Sequence, residues 1–199
     1  MPKSRCPVCG STKVNKSTPD RFKYENCGLS DVVLIGEDAV TITKCPDCEQ
    51  TTTMIPQEQQ LLQVIGLSLL DTQPGMSGEQ LRYLRTLFEM SQADFAREMG
   101  KGRRETISEW ERLDRIHSDA DDELVLRLRL LDLYRRRVIE SDHCFLADPH
   151  KERFLKMVET FVERGMKMLN SAQRRKKRPP VEVKRRKSMK QWEPELAVV

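Results

Sequence analysis

The residues best equipped for chemistry in this chain are cysteines. Six are present, and four of them form two Cys-x-x-Cys knuckles, Cys6-Pro-Val-Cys9-Gly and Cys45-Pro-Asp-Cys48-Glu. Two residues between thiolates let both sulfurs meet one ion while N–H groups of the turn point at them. Two such knuckles complete the tetrahedral four-sulfur shell of structural zinc. That shell leaves no open coordination position, so Zn2+ on Cys6, Cys9, Cys45 and Cys48 is expected to hold the fold rather than to catalyse. It would replace a core that about 55 residues can scarcely supply alone. Iron or another metal is the alternative occupant. Paired knuckles in a chain read as cytoplasmic argue against disulfides and against a redox dithiol. Cys27 is either a small buried apolar residue or a substitute for one of the four ligands, and Cys144 is expected to be packed. His117, His143 and His150 have no ligand spacing. No paired carboxylates, nucleophile–base set or phosphate loop stands at a credible spacing, so an enzyme is not expected.

The elements that must position the cysteines are short. Thr12–Val14, Phe22–Tyr24, Asp31–Ile35 and Ala39–Thr43 read as strands, with Gly36-Glu-Asp as a hairpin turn between the last two. Residues 57–70 read as a helix with Leu61, Leu62, Ile65 and Leu69 on one face, followed by a linker to position 77.

A second pattern lies in the middle of the chain. Ser77-Gly-Glu-Gln80 has capping-box spacing and precedes Leu81, Leu84 and Leu87 at helical intervals. Ser91 caps a restarted helix whose buried side is expected to carry Ala93, Phe95, Ala96 and Met99. Gly100-Lys101-Gly102 breaks it. A third helix starts at Arg103 or Arg104 and carries Ile107, Trp110 and Leu113. The spacing meets the demands of a helix-turn-helix: a small residue, Ala96, where two helices cross; a glycine, Gly100, where the chain reverses; and Ile107 with Trp110 on the inner face. The first turn of the third helix then faces outward with Arg103, Arg104, Glu105 and Thr106, followed by Glu109. It can enter a major groove, where Arg reads guanine and Glu accepts from cytosine. Ser91 and Gln92 open the preceding helix and, with Arg82, Arg85 and Lys101, are the expected phosphate contacts. The expected partner is double-stranded DNA.

Beyond this, residues 123–137 read as a helix with the stripe Leu124, Leu128, Leu131 and Tyr134. Residues 149–169 read as another, with Asp148 as cap and the stripe Phe154, Met157, Val158, Phe161 and Val162. Arg127, Arg129, Arg135, Arg136 and Arg137 make the first of these basic on its other faces. Dimerisation, docking of a partner protein and closure of the helical core are the roles weighed for this extension. Net charge is +4, but residues 173–199 hold ten Lys or Arg against three Glu, so the remaining 172 residues are net −3. The basicity belongs to the tail, which suits a polyanion or a solvated end and is expected to lack regular structure. No run of 18 apolar residues marks a membrane span, and Met1-Pro-Lys-Ser-Arg leads into the first knuckle with no signal-peptide-like stretch.

The expected fold class is a small α+β zinc-binding domain followed by an all-α Cro/C1-type helix-turn-helix domain with extra C-terminal helices. The expected divisions are a zinc-binding domain at 1–56, a helix and linker at 57–77, a helix-turn-helix domain at 78–137, a helical extension at 138–171 and the basic tail at 172–199. Residues 78–113 resemble the Cro/C1-type (Xre) helix-turn-helix. Residues 1–113 resemble the MqsA-like antitoxin and regulator family, with Cys-Pro-x-Cys at each end of the first domain and Tyr24-Glu-Asn-Cys27-Gly28-Leu29 between. The resemblance implies a homodimeric repressor of its own operon, bound to a palindromic operator. In toxin–antitoxin members it also implies neutralisation of a ribonuclease-type toxin. A regulator without a toxin, and a zinc-ribbon protein-interaction module with a degenerate helix-turn-helix, are the alternatives. Three features depart from the family: a turn about one residue longer, two acids (Glu105 and Glu109) on the reading side, and the extension after residue 120.

Overall fold

The computed structural model describes residues 5–71, 75–116, 120–156, 158–159, 181–186 and 191–194. The N-terminal part is strand-built: β1 (Asn15–Ser17), β2 (Arg21–Lys23), β3 (Val32–Ile35), β4 (Thr41–Lys44) and β5 (Thr51–Met54). Helices follow: α1 (Glu58–Asp71), α2 (Gly78–Leu87), α3 (Gln92–Glu98), α4 (Arg104–Trp110) and α5 (Ala120–Tyr134). The last of these runs on as a π-helical turn over Arg135–Ile139, and residues 148–156 form a further helix, α6. Two strands end the described chain, β6 (Val181–Arg186) and β7 (Gln191–Pro194). Among the described residues no helix is long and apolar enough to cross a membrane.

The strands make two sheets, ordered β1-β4-β5 and β2-β3-β6-β7. This corrects the expected hairpin around Gly36. The turn exists, with the Ala39 N–H donating to the Gly36 carbonyl at 3.1 Å, but β3 and β4 lie in different sheets. The reason is that both edges of β3 are taken, by β2 on one side and β6 on the other. The first strand also lies later than expected, at Asn15–Ser17 rather than Thr12–Val14, and β5 was not anticipated.

The tail is the larger correction. Residues 181–186 and 191–194, expected to be without regular structure, form a hairpin whose β6 pairs in parallel with β3. Val181-Glu-Val183-Lys alternates apolar and charged residues at the period of a strand, a pattern that the charge count of the whole tail obscures. The remaining tail residues lie outside the described ones, as do His117, Met157, Phe161 and Val162.

One continuous apolar core joins both parts, from Tyr24, Val32 and Leu34 through α1 to Phe154. Helix α1 is its axis. Leu61, Val64, Ile65, Leu67, Leu69 and Leu70 are all buried, so the helix is enclosed nearly all round rather than on the single face expected of an amphipathic connector. Its polar residues are used inside: Gln60 and Gln63 donate to the carbonyls of Phe145 and His143, and the Tyr134 hydroxyl donates to the Gln63 carbonyl. The buried stripe of α5 is Leu126, Leu130, Leu131, Leu133 and Tyr134, while Leu128 is exposed. Of the expected stripe, Leu131 and Tyr134 are buried and Leu128 is not, and the side chain of Leu124 lies outside what is described. Arg127 turns inward to the Glu123 carboxylate and the Leu70 carbonyl, which fixes the rotation of α5 about its axis. Helix α6 starts one residue earlier than expected, with the Ala147 carbonyl accepting from the His150 and Lys151 N–H groups, and Phe154 stacks on Tyr134 with ring centroids 5.5 Å apart.

Candidate metal centre and candidate nucleic-acid interface

The first knuckle precedes β1, and the second is the turn between β4 and β5. Antiparallel pairing of β1 with β4 therefore brings the two knuckles to one end of the sheet. They are built alike. The Cys6 N–H donates to the Ser11 carbonyl at 2.7 Å, and the Cys45 N–H donates to the Gln50 carbonyl at 3.0 Å. The residue after each second cysteine takes a left-handed conformation, Gly10 at φ 76° and Glu49 at φ 59°. Glycine adopts this freely, whereas at Glu49 the Cβ costs about 1 kcal/mol. Ser11 ties the knuckles together by donating to the Asp47 carboxylate at 2.6 Å.

The Sγ atoms of Cys6, Cys9, Cys45 and Cys48 all lie within 4.8 Å of one another, with Cys6–Cys48 at 3.7 Å and Cys9–Cys45 at 3.6 Å. A tetrahedron of sulfurs about 2.3 Å from one ion has edges of about 3.8 Å, so the cluster can hold a metal ion. The N–H groups of Cys9 and Val8 draw the Cys6 thiol down to about 6. At Cys48 the Gln50 N–H also pulls downward, but removal from water and the neighbouring thiols push the group up to about 12. Four sulfurs this close do not all ionise without a cation among them. Cys27 lies outside the cluster; its thiol donates to the Tyr24 carbonyl at 3.1 Å. Cys144 packs against the core.

The second candidate site is the α2–α4 region. Helix α2 has its capping box, with the Gln80 N–H on Ser77 Oγ and the Gln80 side chain accepting from the Ser77 N–H. Ser91 caps α3 by accepting from the Asp94 N–H. Gly100 reverses the chain at φ 66°, and Arg103 occupies the capping position of α4. Ala96 and Ile107 are buried at the crossing of α3 and α4. Trp110 is half-buried, with the Lys101 ammonium 5.3 Å from its ring centroid. Ala93, expected to be buried, is exposed, and Leu113, expected on the third helix, lies beyond the end of α4 at Trp110.

Of the expected base-facing residues, Arg103 before α4 and Arg104, Glu105 and Glu109 on it are exposed, and Thr106 is half-buried. Arg104 lies 3.7 Å from the Glu105 carboxylate. The five expected phosphate contacts differ in exposure. Arg85, with only 16% of its side chain exposed, donates to Glu111 at 2.5 Å and 3.3 Å. Gln92 donates to the same carboxylate at 2.9 Å, and Arg82 lies 3.5 Å from it while donating to the Glu111 carbonyl. Arg85 and Gln92 are thus drawn inward by a buried acid. Ser91 is exposed, and Lys101 sits over Trp110.

Glu111 was missed in the sequence, although its spacing was informative: it lies four residues after Ile107 on the inner face of the last helical turn, opposite two arginines three residues apart on α2. Burial raises its pKa, but Arg85, Gln92 and Arg82 outweigh that and hold the carboxyl below its ordinary value. Gly78 was also missed. A Cβ there would stand 2.2 Å from the Trp110 carbonyl oxygen, so glycine lets the start of α2 meet the end of α4. A third unforeseen element is Arg129 of α5, which donates to the Glu98 carbonyl at 3.0 Å and so satisfies the end of α3. Arg136 reaches the Glu98 carboxylate at 2.9 Å and Arg135 is held by Asp132 and Glu140. The arginines of α5 are largely spent within the fold.

Between Gly78 and Ile116 eight basic residues meet eight acidic ones, so this region has no net charge. No family model, curated protein or solved structure matches the chain.

Proposed function

We propose that the chain is a sequence-specific DNA-binding transcriptional regulator in which α3, the Gly100 turn and α4 act as a Cro/C1-type helix-turn-helix. The observation that carries this reading is the division of α4. Ile107 is fully buried against α3, while Arg103 before α4 and Arg104, Glu105 and Glu109 on it are exposed. A helix so anchored offers a short, rigid row of donors and acceptors to base edges. Zn2+ on Cys6, Cys9, Cys45 and Cys48 supplies a closed structural centre. A homodimer on a palindromic operator would place two copies of α4 about one helical turn of DNA apart. The exposed Val125 and Leu128 of α5, 52% and 43% accessible, offer a second copy an apolar surface.

The finer reading is an antitoxin that represses its own operon and neutralises a ribonuclease-type toxin. Its support is the resemblance of the zinc-binding and α2–α4 segments to that family. The test has two arms. Footprinting on the chain's own upstream region should give a symmetric protected site that Arg103→Ala/Arg104→Ala abolishes; unchanged protection would remove α4 from the reading role. Co-purification with the product of a small neighbouring gene, and relief of that product's toxicity, should follow for an antitoxin. Specific footprinting without any such partner would leave a stand-alone regulator.

A further inference from the structure

The turn that leads into α4 is gripped from outside the α2–α4 region. At the end of α3 the main-chain N–H groups of Met99, Lys101 and Gly100 donate to the carbonyls of Phe95, Ala96 and Arg97. The next carbonyl, that of Glu98, accepts instead from the Arg129 guanidinium at 3.0 Å, 31 residues away in sequence. The Glu98 carboxylate accepts from Arg136 at 2.9 Å. Arg129 lies in α5 and Arg136 in the π-helical turn that continues it, about two turns further on. That one rod therefore holds Glu98 by its main chain and by its side chain at once.

The Arg129 guanidinium also lies against Gly100. A Cβ there would stand 2.7 Å from Arg129 Nη1 and 3.0 Å from Nη2, so a side chain at this position would push the guanidinium off the turn. Beyond Gly100 the loop is open. A Cβ at Gly102 would meet nothing within 4 Å, and Lys101, Gly102 and Arg103 are exposed. Helix α4 has only seven residues. Ile107 pins its middle in the core and Trp110 packs at its far end, while its first turn hangs from this loop. A short rod pinned there can still pivot, and a pivot moves Arg104 and Glu105 most. The α5 rod can oppose it because it is itself fixed. Leu126, Leu130 and Leu133 are buried, Arg127 donates to the Leu70 carbonyl and Tyr134 to the Gln63 carbonyl.

We propose that Arg129 is a positioning residue for sequence reading: by closing the end of α3 over Gly100 it sets the angle at which α4 presents Arg104 and Glu105 to base edges, without touching DNA itself. The inference rests on the DNA-binding reading above. It brings α5, which lies beyond the 78–113 segment, into the reading apparatus. A well-placed bidentate base contact is worth roughly a 5- to 150-fold preference, and that preference depends on the angle of the helix. Attraction to phosphates does not, so the two should separate.

The experiment follows the full-length chain by fluorescence anisotropy on its upstream duplex and on a random duplex, and by amide hydrogen exchange without DNA. Arg129→Met keeps the stem and removes the donors. It should lower the ratio of the two affinities about tenfold and leave the random-duplex affinity and its salt slope close to the parent's. Exchange at the Gly100 and Lys101 amides should quicken about tenfold, while the Glu111 amide, which donates to the Ile107 carbonyl, keeps its protection. Arg129→Lys restores a donor and should return both the ratio and the exchange rates towards the parent. An unchanged ratio in Arg129→Met overturns the proposal while the DNA-binding reading stands. So does equal weakening on both duplexes with a log–log salt slope shallower by about 1, the mark of a lost phosphate contact. An Arg129→Lys chain as impaired as Arg129→Met overturns it too, as does unchanged exchange at Gly100 and Lys101. If the parent prefers neither duplex, the DNA-binding reading falls and the reading role of Arg129 falls with it.

Discussion

The four-cysteine end and the α2–α4 region are of similar size, yet they reach order by opposite means. Around the cysteines there is little apolar burial: β1 is exposed throughout and β5 nearly so, and the geometry converges on four sulfurs. In the α2–α4 region a buried apolar crossing surrounds a single acid, Glu111, to which α2 and α3 both donate. The first is a shell that waits for its centre from outside. The second carries its centre in its own sequence. The two should therefore fail under different insults, and each failure should leave the other intact.

The largest effect is expected at the metal. A structural zinc contributes on the order of 10 kcal/mol to a small domain that cannot fold without it. Cys45→Ser, or strong chelation of the parent, should abolish amide exchange protection in β1, β4 and β5 and release about one metal ion per chain, while α1 to α5 keep theirs. Protected β4 and β5 amides in a metal-free chain would erase the contrast.

Next in size is Glu111→Ala, which strands the largely buried Arg85 guanidinium and should cost about 3 kcal/mol, read as a lower denaturation midpoint with no change in metal content. Acid should do the same more gently. The folded Glu111 pKa lies below its ordinary value of 4.5, so its contribution is present above that value and fades as pH falls through the depressed one. In the parent, helical stability should drop in that acidic window, and the drop should be smaller in a Glu111→Gln variant.

The smallest effect sharpens the comparison from the other side. Glu49 holds a conformation that Gly10 holds in the matching knuckle, so Glu49→Gly should relieve about 0.5–1 kcal/mol of local strain. The measurement is metal affinity, which should rise a few-fold with helical stability unmoved.

The two regions also differed in how far the sequence disclosed them. The knuckles were legible because metal ligation needs fixed residue types at fixed spacing. The caps at Ser77 and Ser91 and the turn at Gly100 were legible because each is a local demand of the backbone. Arg85 and Gln92 were placed at phosphates for want of a partner, because the partner, Glu111, lies 26 and 19 residues away and only packing brings it near. Leu128 and Leu131 look alike in sequence, yet the inward turn of Arg127 decides which of them is covered. Likewise, no local pattern could pair β6 with β3, since the alternation Val181-Glu-Val183-Lys specifies a strand but not its neighbour.

That pairing has a consequence for how the protein is made. Val32 meets Val181, so the second sheet cannot close until about 150 further residues have been synthesised, roughly 10 s or more of elongation. During that time β2 and β3 present an open edge, and an open edge is what other strands recruit to. A chain that stalls or is clipped before residue 181 would keep it. The tail is thus the last clasp of the nascent protein, and its loss should show first in aggregation rather than in any property of the finished molecule.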